Sequence, residues 1–156
     1  MRNLLLLFSA LLFTTVSLNA QSSTANDKNE ILKIVQQFFD AMEARDTAAF
    51  NNTSVADRYT YFVQERNDTV YVGSRSADKF SQRLAVSKVI VTEKMRDKDV
   101  KVEIHKRIAM VWAPYDLWID KKFSHCGVDV FTLLKAKEGW KIVTIAFSVE
   151  TEGCTQ

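Results

Sequence analysis

Proline occurs once, glycine four times and cysteine twice in 156 residues. So little proline and glycine excludes collagen-like, linker-built and low-complexity chains. Two thiols cannot make a disulfide-dense scaffold or a four-cysteine zinc site. An excess of one charge is also missing. Lys plus Arg number 21 against 19 Asp plus Glu, a net of +2 with the signs interspersed. Nucleic acid is therefore not an expected partner, because it selects for a concentrated basic stripe. No apolar run reaches the ~20 residues that span a bilayer. What the chain does have is 47% hydrophobic and 26% charged residues. That is the composition of a folded domain long enough to bury its own core.

The first 20 residues read as a secretory signal peptide. Met1-Arg2-Asn3 is a short basic start, Leu4 to Val16 is an apolar run, and Ser17-Leu18-Asn19-Ala20 ends on a small residue before Gln21. The expected product is secreted or periplasmic, cut near Ala20, with no membrane association after cleavage and a setting in which disulfides persist. Residues 21–27 are polar and small, a flexible start, and residues 28–156 make one domain.

Asp27-Lys28-Asn29-Glu30 has the form of a capping box. Behind it Ile31, Ile34, Val35, Phe38, Phe39 and Met42 recur at helical spacing, one apolar stripe over about four turns. Thr47 to Phe50 starts a second short helix, and Ser76 to Val86 a third, with Phe80 and Leu84 on one face. Tyr59–Glu65 and Thr69–Val72 alternate as short strands around Arg66-Asn67-Asp68. From Lys88 the chain turns to strands: Lys88–Met95, Asp99–His105, Ile108–Ile119, Phe123–Lys135 and Trp140–Val149, with tight turns at Asp120-Lys121-Lys122 and Lys137-Glu138-Gly139. Helices followed by an antiparallel meander predict an α+β fold with the helices packed in a curved antiparallel sheet.

Two of the long strands are apolar on both faces. In Ile108–Ile119, Met110, Trp112 and Trp118 oppose Val111, Tyr115, Leu117 and Ile119; in Trp140–Val149, Trp140 and Ile142 oppose Val143, Ile145 and Phe147. A sheet with one wet face should alternate apolar with polar residues. The helices cover one face, and a homodimer through the outer face would cover the other. The chain's own loops are the alternative cover.

Phe38-Phe39-Asp40-Ala41-Met42-Glu43-Ala44-Arg45-Asp46-Thr47 resembles the first helix of the nuclear transport factor 2-like superfamily, and Glu138-Gly139-Trp140-Lys141-Ile142-Val143 resembles its hairpin. Val111-Trp112-Ala113-Pro114-Tyr115 and Phe123-Ser124-His125-Cys126-Gly127-Val128-Asp129-Val130-Phe131 resemble an exported bacterial branch labelled "Putative lumazine-binding". The resemblance covers Lys28 to Cys154. It implies a cystatin-like cone, related to SnoaL-like and ketosteroid isomerase-like proteins, whose mouth holds a small apolar or aromatic ligand. Such cones serve isomerases, dehydratases, cyclases and binders that transform nothing, so the fold leaves function open.

An isomerase of this kind needs a carboxylate base with a tyrosine and a protonated acid in an apolar pocket. The candidates are Asp57, Tyr59, Tyr61, Asp116, His125 and Asp129, with Asp129, Asp116 and His125 foremost for catalysis. If Trp140 and Ile142 face the cone, then Thr144, Ala146 and Ser148 do too by alternation, and none of these titrates where relatives often carry a histidine. His125 and Asp129 share a strand face with Gly127 between them, where a missing side chain leaves room for a ligand. The plainer reading is a hydrogen-bonded strand histidine and an ion-paired aspartate. Pro114 suggests a bulge that aims Tyr115 at a pocket rim. The remaining candidate walls are Phe38, Phe39, Met42, Tyr61, Phe80 and Trp112, which would equally serve as core. His105 and His125 have no ligand spacing between them, so neither a metal nor another cofactor is expected.

The hairpin register sets Cys126 opposite about Glu150, from where the tail could return Cys154 to bridging distance. A disulfide is the expectation and a catalytic thiol the rival. The leading functional reading is an exported, homodimeric small-molecule binder. An enzyme with Asp129 or Asp116 as base and Tyr61 or Tyr115 as donor is the second, and an interaction module with a filled cone the third.

Overall fold

The computed structural model describes residues 16–154. Three helices, α1 (Val16–Ala44), α2 (Thr47–Asn52) and α3 (Ala77–Val86), pack against seven strands. The strands are β1 (Ser54–Arg66), β2 (Thr69–Ser76), β3 (Val91–Met95), β4 (Lys101–His105), β5 (Ile108–Ile119), β6 (Lys122–Ala136) and β7 (Gly139–Val149). They form one unclosed, curved sheet in the order β2-β1-β7-β6-β5-β3, and β4 follows β3 along the same edge of β5. The class is α+β. The sheet is not wholly antiparallel, however, because β1 runs parallel to β7. β1, the first strand in the chain, thus lies beside β7, the last, a placement that no local hairpin encodes.

The apolar stripe of α1 forms the core as its period requires. Ile31, Val35, Phe38, Phe39 and Met42 are buried against Phe131, Leu133, Ile142 and Ile145 from the sheet. Arg45 takes a left-handed conformation (φ 58°), which stops α1, and Asp46 then accepts from Ala49 N at 2.9 Å to start α2. Ser76 caps α3 by accepting from Lys79 N.

The start of α1 departs from the reading of residues 27–30 as a helix cap. Residues 21–27, expected as a flexible start, are helical. Because the helix already runs through this segment, there are no free N–H groups to cap. Glu30 instead accepts from Asn26 Nδ2 at 2.8 Å. Asp27 takes the Lys135 ammonium and the Trp140 indole N–H, and the lysine contact holds its carboxyl below the usual carboxylate value. The signal peptide reading falls mostly on residues 1–15, outside the described residues. Among the described residues no helix is long and apolar enough to cross a membrane.

Two irregularities aim side chains. Between β6 and β7 the pairing shifts from Thr132↔Thr144 to Leu133↔Ile142, which leaves Val143 as an extra residue. That bulge reverses the phase of β7. Trp140 and Ile142 face the helices, but beyond Val143 the inward residues are Ile145, Phe147 and Val149. Thr144, Ala146 and Ser148 therefore do not face the cone as simple alternation predicts. The second shift lies at Leu117/Trp118 in β5. Pro114, where a bulge was expected, keeps register with Val128. It sits between the stretches of β5 paired with β3 and β4, so its missing N–H breaks no ladder.

Candidate functional site

The concave face of the sheet and the helices enclose an open cavity of about 610 Å³. Phe38, Phe39 and Met42 of α1 and Phe80 and Leu84 of α3 line it from the helical side. β1 contributes Thr60, Phe62 and Gln64; β5, Tyr115 and Leu117; β6, His125 and Asp129; β7, Ile145, Phe147 and Val149. Phe62 stacks on Phe147 at 5.7 Å between centroids, which gives the sheet wall an aromatic pair. A volume of this size lies within the range of small-molecule sites.

The polar centre of the cavity is a pair of carboxyls. Glu93 enters from β3 in phase with Val91 and Met95, and Asp129, only 4% exposed, from β6. The two side chains are hydrogen-bonded to each other. Asp129 Oδ2 receives no N–H or O–H from any other group. Two carboxylates cannot bond this way, so the pair holds a proton. Burial raises both groups: Glu93 is pushed up to about 7, and Asp129 rises well above its ordinary range under the added repulsion of Glu93. The pair therefore titrates as a unit, with both carboxyls held above their ordinary range by burial.

Tyr115 lies across Gly127 and donates to the Ser148 carbonyl at 2.7 Å. A Cβ on Gly127 would stand 2.1 Å from Ser148 O and 2.8 Å from Tyr115 Cε1. The space beside Gly127 is thus taken by the Tyr115 ring and β7 backbone, not left for a ligand. Burial, and then Glu93 and Asp129, drive the Tyr115 hydroxyl upwards, so it stays a neutral donor. His125 stands edge-on to that ring, with Nδ1 3.0 Å from Ser124 Oγ, and burial lowers its pKa, favouring the neutral imidazole.

Cations lie on the β1, β2 and α3 side, two of them, Arg75 and Arg83, lining the cavity and a third, Arg58, buried behind it. Arg58 is fully buried, its guanidinium 5.3 and 5.2 Å from the ring centroids of Phe38 and Phe50. One nitrogen donates to Thr60, Nε and the other Nη have no partner, and burial lowers its pKa to about 10. Arg75 lies over Phe62 and Phe80, and Arg83 of α3 lines the cavity beside it.

Of the residues singled out in the sequence, Phe38, Phe39, Met42, Phe80, Tyr115, His125 and Asp129 come together around this cavity. Tyr61 and Trp112 do not. They are 49% and 42% exposed on the outer sheet face, because odd positions of β1 and even positions of β5 point away from the helices. Asp116 is also absent from the cavity and is ion-paired with Arg96. Tyr59 is likewise outward, and Asp57 is exposed. Glu93 was not anticipated, although its phase with Val91 and Met95 was a usable signal. Cys126 exchanges two backbone hydrogen bonds with Glu150, and its sulfur is bonded to Cys154 with the Cα atoms 5.8 Å apart. Among the described residues no three His, Cys, Asp or Glu side chains converge as metal ligands.

The family described as "Putative lumazine-binding" matches residues 26–148. This chain belongs to that family. Its fold is that of the nuclear transport factor 2-like superfamily, as solved relatives show. A superfamily protein from Salmonella enterica is 15% identical with a TM-score of 0.64, over 85% of this chain and 96% of its own. A cystatin-like member from Novosphingobium aromaticivorans is 10% identical with a TM-score of 0.67, over 92% and 94%. A protein of unknown function from Nostoc punctiforme, also with a cystatin-like fold, is 11% identical with a TM-score of 0.62, over 82% and 94%. No curated protein matches the sequence.

Proposed function

We propose that this family member is an exported protein that binds a small, partly aromatic molecule in its cone without transforming it. The observation that carries the reading is the open, aromatic-lined cavity of about 610 Å³ with one polar centre. A cone filled by its own side chains would leave no such space. A few convergent polar groups in an apolar pocket fix a ligand's orientation, and Glu93 with Asp129 provides both an acceptor and a donor. Export rests on the basic start and apolar run of residues 1–16. Native mass spectrometry of protein purified from its host's periplasm tests the reading. A co-purifying small molecule supports it. Ligand-free protein that also binds nothing from a host metabolite extract would overturn it.

The hydrogen-bonded carboxyl pair favours a second reading, an isomerase- or dehydratase-like enzyme. A carboxylate that ionises near neutrality inside an apolar pocket suits a general base. In this reading Glu93 takes the proton and Asp129, protonated, holds the base in place. Tyr115 is not free to donate, being committed to Ser148. The two readings separate on incubation of the recovered ligand in D₂O. Deuterium incorporated by the native protein and not by Glu93→Gln would identify an enzyme, and an unchanged ligand a binder.

We propose further that the protein is a homodimer through the outer sheet face, where Tyr61, Trp112, Met110 and Ile108 are exposed.

A further inference from the structure

We propose that the cavity's ligand is an aromatic carboxylic acid, held with its carboxylate between Arg75 and Arg83 and its ring in the apolar part of the cavity. The proposal rests on the reading of the cone as a ligand pocket and adds the chemical class.

Arg75 is a partly buried cation on β2 whose guanidinium stands 5.0 Å from the Phe62 centroid and 6.0 Å from that of Phe80. It lies over two rings of the cavity wall, which fixes its direction before anything binds. Arg83 reaches the same wall from α3, near enough that its charge adds to burial in lowering the Arg75 pKa. Two cations held together repel, and among the described residues neither has an ion-pair partner to offset that repulsion. Among the described residues the ion pairs are Arg96 with Asp116 and Lys135 with Asp27, and neither involves Arg75 or Arg83. An oxyanion between the two guanidiniums would remove the repulsion, and paired guanidiniums suit the planar fork of a carboxylate.

The surroundings select one orientation. Glu93 and Asp129 line the cavity from β3 and β6, where an ionised acid would meet a like charge. Fully buried Arg58 adds positive potential behind Thr60 on the arginine side. Glu65 and Arg66, of opposite charge, both stand at the rim. Arg75 and Arg83 also face a second hollow of about 600 Å³ beside α3, lined in addition by Lys79. The cation pair is thus reachable from solvent through a basic approach that favours anions.

Isothermal titration calorimetry with three probes of equal ring size tests this: 2-naphthoate, neutral 2-naphthylmethanol and cationic 2-naphthylmethylamine. The full-length mature protein should bind the acid at least tenfold more tightly than the alcohol, and the amine most weakly. Arg83→Gln, an exposed change that leaves the core intact, should weaken the acid about tenfold and leave the alcohol unaltered. Arg75→Gln should do the same, with loss of the ring stack as an added effect on both. Equal binding of acid and alcohol, or preference for the amine, would overturn the acid class while leaving a working pocket. A preference for the acid that survives both substitutions would overturn the arginine assignment. If no probe binds although a native ligand is recovered, the aromatic-acid class fails. If no probe binds and no ligand is recovered, the pocket reading itself fails.

Discussion

At the scale of single residues the most informative group is Glu93. Its pKa in the folded state lies above its ordinary value, so the folded protein binds more protons than the unfolded chain between about pH 4.5 and 7. The contribution to stability is therefore present at low pH and is lost as pH rises through that window. Glu93→Gln removes the titration, so the variant should gain on the wild type by about 2 kcal/mol between pH 5 and 8. His125 pulls the other way, because burial lowers its pKa and acid must charge it. The quantity to read is therefore the difference between the two proteins in urea melts across pH, which cancels the histidine. A pH-independent difference would show that the carboxyl pair does not share a proton. Gly127 supplies a second residue-scale expectation. Gly127→Ala places a methyl into the Ser148 carbonyl and the Tyr115 ring, and the backbone cannot yield as a flexible side chain would. A loss of about 1–3 kcal/mol should follow, with Tyr115→Phe in the same background restoring little, since the closest contact is backbone.

Elements show which parts of the molecule sequence alone can reach. β5 runs from Ile108 to Ile119 as its apolar pattern predicts, and α3 begins at the serine that caps it. Both are local: periodicity and a capping hydroxyl act within a few residues. The Val143 bulge was not legible, since Trp140–Val149 carries apolar residues on both faces and period two has no internal mark where phase reverses. The same two-sided apolarity misplaces Trp112 at the cavity, whereas Tyr61 lies on a strand whose odd positions face outward. The partnership of Glu93 with Asp129 depends on β3 and β6 lying on either side of β5, a long-range fact that no spacing records. The disulfide could be anticipated because one hairpin carries it. Cys126 and Cys154 are 28 residues apart and tie the tail beyond β7 to β6. Closing a loop of that size is worth about 3.5 kcal/mol in the chain-entropy picture. Cys126→Ser and Cys154→Ser should each lower the melting temperature of the oxidised protein to the same extent, and the double variant should lie no lower. Unchanged melting in both single variants would show that the bond does not form.

At the scale of the whole molecule, the outer face of the sheet asks for a partner. Register aligns Tyr61 with Ala146, Ala146 with Val130, and Val130 with Trp112, so one row crosses four strands. The next row runs from Tyr59 through Thr144 and Thr132 to Met110, and Ile108 stands beside Leu134. Tyr59, Tyr61, Met110, Trp112, Ile108 and Leu134 are all more than a third exposed. A contiguous apolar patch of this kind on a monomer marks an interaction surface. A sheet face lends itself to isologous pairing about a two-fold axis, and the helices on the other side leave the cavity clear of it. Light scattering should therefore report twice the mass of one chain at micromolar concentration. Trp112→Glu combined with Tyr61→Glu should yield a monomer, because four like charges would face one another across the two-fold. Neither residue lines the cavity, so 2-naphthoate affinity should be unaltered in a folded monomer. A wild-type protein that is monomeric at these concentrations would remove the dimer. A monomeric variant that also loses the ligand would show that the cone depends on its partner for shape.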